Sequence, residues 1–310
     1  MPDDVVIRRS RGLHRIFMLA AGTAWGCGLL VFPAGAASTG LPPLVVPATV
    51  ERHPGKMVLA ELVTPDLAGA ERFYGGLFGW TFQGVPSGIF AQASLNGQVV
   101  AAIAQRPLPP DRQPGWLGFI ATDDVEKADA LAVQNGAKVL FEPHSFANLG
   151  REAVLADPQG AVFAILASSS GDPPDVLADP GAWIWSSLIT QTPSVDAGFY
   201  KTVFGYESFT MPEAQDAQHL ILASGNYARA SVNPIPSSWT AGRARWLNYV
   251  RVDDATVTAA RVTALGGHVL VAPRIDRQGG KVAVVTDPQG ALFGLLEWSE
   301  SDAAPAGAAK

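Results

Sequence analysis

The sequence predicts an α+β fold in which two related, sheet-rich domains follow one another behind an export segment. Three observations predict it. With 310 residues, 48% of them hydrophobic and 16% charged, the chain can bury more than one core, since single domains usually hold roughly 100 to 200 residues. Its 32 glycines and 24 prolines suit many short strands joined by tight turns. The chain also repeats itself. Phe73-Tyr74 and Phe78-Gly79-Trp80 return at an offset of 126 as Phe199-Tyr200 and Phe204-Gly205-Tyr206. Trp116-Leu117, Asp123-Asp124 and Asp157-Pro158-Gln159-Gly160-Ala161 return at an offset of 130 as Trp246-Leu247, Asp253-Asp254 and Asp287-Pro288-Gln289-Gly290-Ala291. Solenoid repeats run roughly 20 to 50 residues, so a period this long is a duplicated domain.

The organisation that follows is an export signal or N-terminal anchor over residues 1–37 and a linker over 38–55. A first domain covers 56–169, a second linker 170–181, a second domain 182–299, and a frayed tail 300–310. Arg8, Arg9, Arg11 and Arg15 precede the uncharged run from Ile16 to Phe32, and Ala34-Gly35-Ala36-Ala37 supplies small residues for a signal peptidase. The expected address is the periplasm or outside the cell. An uncleaved segment would instead anchor the protein to the membrane facing outside, and intact mass distinguishes the two. Cys27, the only cysteine, lies within this run, so a cleaved chain has neither disulfides nor a thiol nucleophile. The net charge of −6 becomes about −8 once the basic segment is gone, and no basic stripe follows residue 50. Nucleic acid is therefore not expected as a partner, and a membrane only through the N-terminal segment.

Within each copy the pattern reads strand, helix, then several strands, twice over. The first helix is expected to be capped by Asp66, with Leu67, Ala70, Phe73, Tyr74 and Leu77 at helical spacing and Gly79 as its stop. Thr192 followed by Pro193 opens its counterpart in copy two. Asp123 with Glu126 has capping-box spacing for a second helix that ends at Gly136, and Asp253 to Gly266 matches it. Val99 to Ala104, Val139 to Phe141 and Val282 to Val285 read as buried strands.

Leu62-Val63-Thr64-Pro65-Asp66 before Phe73-Tyr74, then Phe78-Gly79-Trp80, Asp123-Asp124-Val125 and Asp157-Pro158-Gln159-Gly160-Ala161-Val162-Phe163, resemble vicinal oxygen chelate domains. This is the superfamily of glyoxalases, bleomycin resistance proteins and extradiol dioxygenases. The resemblance spans about Lys56 to Trp298. It implies two tandem domains, each of paired βαβββ modules whose eight strands curl into a half-open cup around a small-molecule site. The motif residues themselves read as core and turn, and mark the fold rather than the chemistry.

Metal-dependent relatives hold a divalent ion on the first strand of each module and on a terminal Glu. Carried over, these positions fall at Leu59, Leu117 and Ala164 in copy one and at Trp185, Leu247 and Gly294 in copy two. None of the six is a ligand, so no metal and no cofactor are expected. His144, in the loop before the last strand of copy one, is the histidine nearest a cup. Strand alternation places Glu61 beside Leu59 in cup one, and Trp185, Ser187, Tyr249 and Arg251 in cup two. The expected function is binding of a small apolar or aromatic molecule without a metal. A superfamily enzyme with a divergent metal site (lyase, isomerase or dioxygenase) and a structural or partner-binding module are the alternatives. Trp185 and Tyr249 would supply platforms and Arg251 an anion anchor, while copy one would be collapsed or hold a neutral or cationic group.

Overall fold

The computed structural model describes residues 41–85, 88–109, 112–210, 219–236, 242–276 and 280–298. The expected signal and the C-terminal tail lie outside the described residues. Copy one runs from β1 (Met57–Thr64) through α1 (Leu67–Phe78), β2 (Thr81–Gly84), β3 (Phe90–Leu95) and β4 (Gln98–Gln105). Its second module is β5 (Gly115–Ala121), α2 (Val125–Gln134), β6 (Lys138–Phe146), β7 (Gly150–Ala156) and β8 (Val162–Ser168). Copy two repeats this as β9 (Trp183–Thr190), α3 (Pro193–Phe204), β10 (Glu207–Thr210), β11 (Leu220–Ser224) and β12 (Tyr227–Pro234). It ends with β13 (Arg245–Val252), α4 (Ala255–Ala264), β14 (His268–Ile275), β15 (Lys281–Thr286) and β16 (Leu292–Glu297). Each copy is thus a pair of βαβββ modules.

The two modules of a copy join through their first strands, which pair antiparallel, and each first strand pairs in parallel with the last strand of its own module. The resulting order is β2-β3-β4-β1-β5-β8-β7-β6 in one sheet and β10-β11-β12-β9-β13-β16-β15-β14 in the other. Neither sheet closes, so each is an eight-stranded half-open cup.

Alternation sorts the strands into two faces. Leu62 of β1 packs on Leu67, Ala70, Phe73, Tyr74 and Leu77 of α1, and Leu188 of β9 packs on Ala197, Phe199 and Tyr200 of α3. The helices cover the backs of the sheets, and the cups open on the other side. Each core is built from both copies: α1 packs with Ala255, Ala259 and Val262 of α4 and with Phe293 of β16, while α2 packs with α3.

Several helix signals behave as expected and some do not. Asp66 accepts from the backbone N–H of Gly69, and Gly79 closes α1 at φ 75°, where a side chain would be strained. In α2 and α4, however, the caps are Asp124 and Asp254, one residue later than expected, because these are the carboxylates that reach N–H groups of the first turn. Glu126 turns away to pair with Arg151 and makes no capping box. Thr192 makes no capping bond, since its hydroxyl goes to Asp196 at 3.3 Å.

The two stretches read as linkers are packed structure. Leu44 is buried against Leu59, Phe119, Val154 and Leu166 inside cup one, with Leu41 and Val45 alongside. Val45 N–H donates to Ser170 Oγ (3.0 Å) and Thr49 N–H to the Ser170 carbonyl (2.9 Å). From the other stretch Asp175 pairs with Arg229 and, at 3.0 Å, with Lys56, which holds its carboxyl down at about 2 despite partial burial. Apolar residues between prolines make a strap across a concave apolar surface as readily as a solvated spacer, which is why composition alone misplaced this segment.

Candidate binding site

Cup one is filled. Register puts Leu59 beside Phe119 and Phe119 beside Ala164, with Glu61 next to Leu117 and Ala102. The Leu41–Val45 strap lies over this floor, and Gln92 reaches the Pro43 carbonyl at 3.5 Å. Two carboxyls remain inside. Glu61 is pushed up to about 7 by burial, only partly offset by Arg106. Glu152 of β7 is pushed up to about 8 by burial and by Glu61. A neutral carboxyl is the form that an apolar interior favours when no cation is close enough to compensate. His144 is not in a loop over the cup: it lies on β6 opposite Glu152, exposed, with its ring against Phe146.

Cup two differs in kind. Its floor carries Trp185 and Ser187 of β9, which register beside Tyr249 and Leu247 of β13. Gly294 of β16 pairs with Tyr249, and a Cβ there would lie 2.1 Å from the tyrosine ring, so the ring occupies the space directly over the glycine. Beyond them a polar network spreads across β9 and β12. Trp185 Nε1 donates to Ser231 Oγ (3.1 Å), Ser187 Oγ and Ser231 Oγ are 2.8 Å apart, and Asn233 Nδ2 donates to Ser231 Oγ (3.0 Å). His219 Nδ1 lies 2.9 Å from Asn233 Oδ1. Burial pushes the Tyr249 hydroxyl up to about 12, and the nearby Ser187 hydroxyl acts against that shift. Ile189, Leu247, Val284 and Ile235 complete the apolar part of the wall. Trp185, Asn233, His219 and Tyr249 are half-buried, so the network is screened from solvent without being sealed.

Of the five sequence candidates, Glu61 lies in cup one and Trp185, Ser187 and Tyr249 come together in cup two. Arg251 does not join them as a free anchor. Its Nε donates to the Trp298 carbonyl (3.0 Å) and one terminal nitrogen to the Ala178 carbonyl (2.7 Å), which ties the end of β16 to the segment before β9. A guanidinium at a strand end finds orphan carbonyls more cheaply than it stays unpaired. The anion anchor expected of Arg251 is therefore lost to cup two, and the charges that Tyr249 feels are those of Asp276 and Arg274. Ser231, Asn233, His219, Gln92 and Glu152 were missed, although alternation along β12 marks Ser231 and Asn233 as neighbours on one face.

The donor sets do not fit the divalent ion that the resemblance implies for metal-dependent members. The registered rows are Leu59–Phe119–Ala164 and Trp185–Tyr249–Gly294, so the middle residue is two positions beyond the expected Leu117 and Leu247 and is again no ligand. Among the described residues no group of three or more His, Cys, Asp or Glu converges. Divalent sites normally need three or four N, O or S donors.

Residues 56–165 match the model of the Glyoxalase/Bleomycin resistance protein/Dioxygenase superfamily, and residues 187–296 match that of the Glyoxalase-like domain. The chain is 32% identical over 260 residues to CFP32 of Mycobacterium tuberculosis, a protein that bears the name of a glyoxylase; the match covers 81% of this chain and 98% of the relative. It is 30% identical over 275 residues to the anthracycline biosynthesis protein DnrV of Streptomyces peucetius, covering 83% and 98%. Among solved structures, a Mn(II)-bound glyoxalase from Novosphingobium aromaticivorans superposes with a TM-score of 0.58 at 16% identity, over 79% of this chain and 83% of the other. A homoprotocatechuate 2,3-dioxygenase from B. fuscum superposes equally well at 12% identity, over 83% and 74%. At these identities the structures share the fold alone.

Proposed function

Because the chain belongs to the glyoxalase/bleomycin resistance protein/dioxygenase superfamily, we propose that its second cup binds a small aromatic molecule without a metal, and that its first cup does not. One observation carries this reading. In cup two the floor is a half-buried tryptophan and tyrosine, the tryptophan held by a neutral hydrogen-bond network, whereas the corresponding surface of cup one lies under Leu44. Trp185 and Tyr249 offer flat apolar faces with polar edges, a composition suited to planar ligands. With Arg251 committed to carbonyls, the cup selects by neutral donors and acceptors. The name of DnrV, which places that relative in anthracycline biosynthesis, agrees with such a ligand.

The test is elemental analysis of the purified chain together with titration against a panel of neutral aromatics. Well under one metal per chain is expected, with micromolar binding that Trp185→Ala weakens about tenfold, since losing an aromatic platform costs roughly 1 to 2 kcal/mol. A stoichiometric transition metal that survives dialysis against a weak chelator would sink the proposal.

A further inference from the structure

Because the fold is duplicated, the strap across cup one measures what an occupant of cup two has to cover. Leu41 packs on Phe90, Ala102 and Ala104 at the β3–β4 side. Leu44, with Leu41 and Val45 beside it, packs into the cluster of Phe119, Val154 and Leu166 that also takes in Leu140 and Phe141 of β6. Between them Gln92 Nε2 donates to the Pro43 carbonyl (3.5 Å). The strap thus crosses the sheet from one module to the other, and five extended residues reach at most about 17 Å.

The equivalent positions of cup two differ from one end to the other. Ala102 and Ala104 pair with Glu61 and Val63 as Ser231 and Asn233 pair with Ser187 and Ile189. Phe90, beside Ala104, is matched by His219, whose Nδ1 lies 2.9 Å from Asn233 Oδ1. The first end has therefore changed from apolar to polar. At the other end Val154 with Phe141 becomes Val284 with Val271, and the apolar character is kept. Among the described residues the cluster there consists of strand residues and Ile235, with no counterpart of the strap. Leu140 is half-buried in the strap's cluster, whereas its equivalent Leu270 is 58% exposed. A single exposed leucine is ordinary, but here copy one shows what covers the position. Arg274 and Asp276 beyond it add one charge of each sign and act on Tyr249 in opposite senses. Trp185 and Tyr249 lie on the floor between the two ends.

Taking cup two as the binding site proposed above, we propose that its ligand is an elongated aromatic with two unlike ends. A hydrogen-bonding group faces Ser231, Asn233 and His219, the ring lies against Trp185 and Tyr249, and an apolar arm of several carbons runs over Val271 and Leu270. The arm does in cup two what the strap does in cup one, and removes Leu270 from water. The polar end requires no particular proton direction, because hydroxyl, carboxamide and imidazole together offer both donors and acceptors.

The experiment uses the full chain and three neutral probes, 4-methylbenzamide, 4-hexylbenzamide and hexylbenzene, compared by equilibrium dialysis. 4-Hexylbenzamide is expected to bind about 30 times tighter than 4-methylbenzamide, the gain from burying roughly half the surface of the added methylenes. It should also bind about 5 to 10 times tighter than hexylbenzene, the gain from neutral hydrogen bonds in a screened site. Leu270→Asp, a change at an exposed position, should cut the hexyl gain to less than about 5-fold and leave 4-methylbenzamide unchanged. Asn233→Ala should remove the carboxamide's advantage over hexylbenzene and leave hexylbenzene binding as it was. Equal binding of the two benzamides, a hexyl gain that survives Leu270→Asp, or a carboxamide advantage that survives Asn233→Ala would overturn the two-ended ligand. If Trp185→Ala still weakens binding in those cases, the aromatic cup is left standing. Binding of no probe, or binding that Trp185→Ala leaves unchanged, would overturn both.

Discussion

At the scale of single residues, the two cups show how small a substitution turns one lining into another. Positions 130 apart are equivalent, so Phe119 over Ala164 in copy one becomes Tyr249 over Gly294 in copy two. The added hydroxyl comes near Ser187 where copy one has Glu61, and the lost methyl makes room for the ring. Gly294→Ala is therefore predicted to be the most damaging single-methyl change in cup two. Its Cβ would lie 2.1 Å from the Tyr249 ring. Relieving that overlap should cost about 1 to 3 kcal/mol of stability and displace the Tyr249 ring. Thermal unfolding and aromatic-probe binding check this, and a variant that keeps both the parent's stability and its affinity would refute the packing described. Single residues were partly legible beforehand. Parity put Glu61, Trp185, Ser187 and Tyr249 on inner faces. It could not show that Arg251 would meet two carbonyls brought from residues 178 and 298, because that encounter is made by the chain's path and not by its pattern.

At the scale of elements, the strap of residues Leu41–Val45 and the carboxyl pair beneath it form one unit. Glu61 and Glu152 face the same apolar space, with Arg106 the cation near Glu61 and His144 across the strand pair from Glu152. Both acids have native values raised from 4.5, to about 7 and about 8. The folded state thus holds protons that the unfolded chain has released. Stability from this source is complete below about pH 4.5 and is lost as pH rises through about 7 to 8. At about 1.4 kcal/mol per unit, Glu61 alone accounts for roughly 3 kcal/mol. The parent Tm should fall by several degrees from pH 5.5 to pH 8.5. Glu61→Gln should flatten much of that fall, since it removes one buried acid and the repulsion on the other. Asp157, raised to about 6 by burial, titrates with the same sign and leaves a residual slope. An identical fall in parent and variant, or a parent Tm that rises with pH, would refute the coupling. The strands, helices and modules were legible because period and capping are local properties. The strap was not, because proline-rich apolar sequence has no period, and only the concave sheet reveals what it covers.

At the scale of the whole molecule, the duplicated motifs turn out to meet one another across the two copies. Tyr74 of α1 donates to Asp287 in the turn before β16 (3.2 Å) and accepts from Trp116 Nε1 (3.0 Å). Tyr200 of α3 donates to Asp157 in the turn before β8 (3.0 Å) and accepts from Trp246 Nε1 (2.8 Å). Each aspartate also accepts from two backbone N–H groups of its own turn, at residues 159 and 161 or 289 and 291. Three of the five repeated signatures, Phe-Tyr, Trp-Leu and Asp-Pro-Gln-Gly, thus contribute to two equivalent relays between a helix of one copy and a turn of the other. The apolar cores around them are shared in the same way, with Phe293 against Phe73 and Tyr74, and Phe163 against Phe199 and Tyr200. A copy unfolding alone would strip its partner's helices of their cover and leave a buried carboxylate without its phenol. The chain is therefore predicted to unfold in a single cooperative step despite its two domains. Tyr74→Phe and Tyr200→Phe should each cost about 1 to 3 kcal/mol, because each leaves both an indole N–H and a carboxylate short of a buried partner. Either variant should lower the Tm of the whole molecule and keep one transition. Calorimetry decides the matter: two separable transitions in the parent, or a Tyr200→Phe variant in which one domain melts early while the other is unmoved, would show that the relays do not bind the copies into one folding unit.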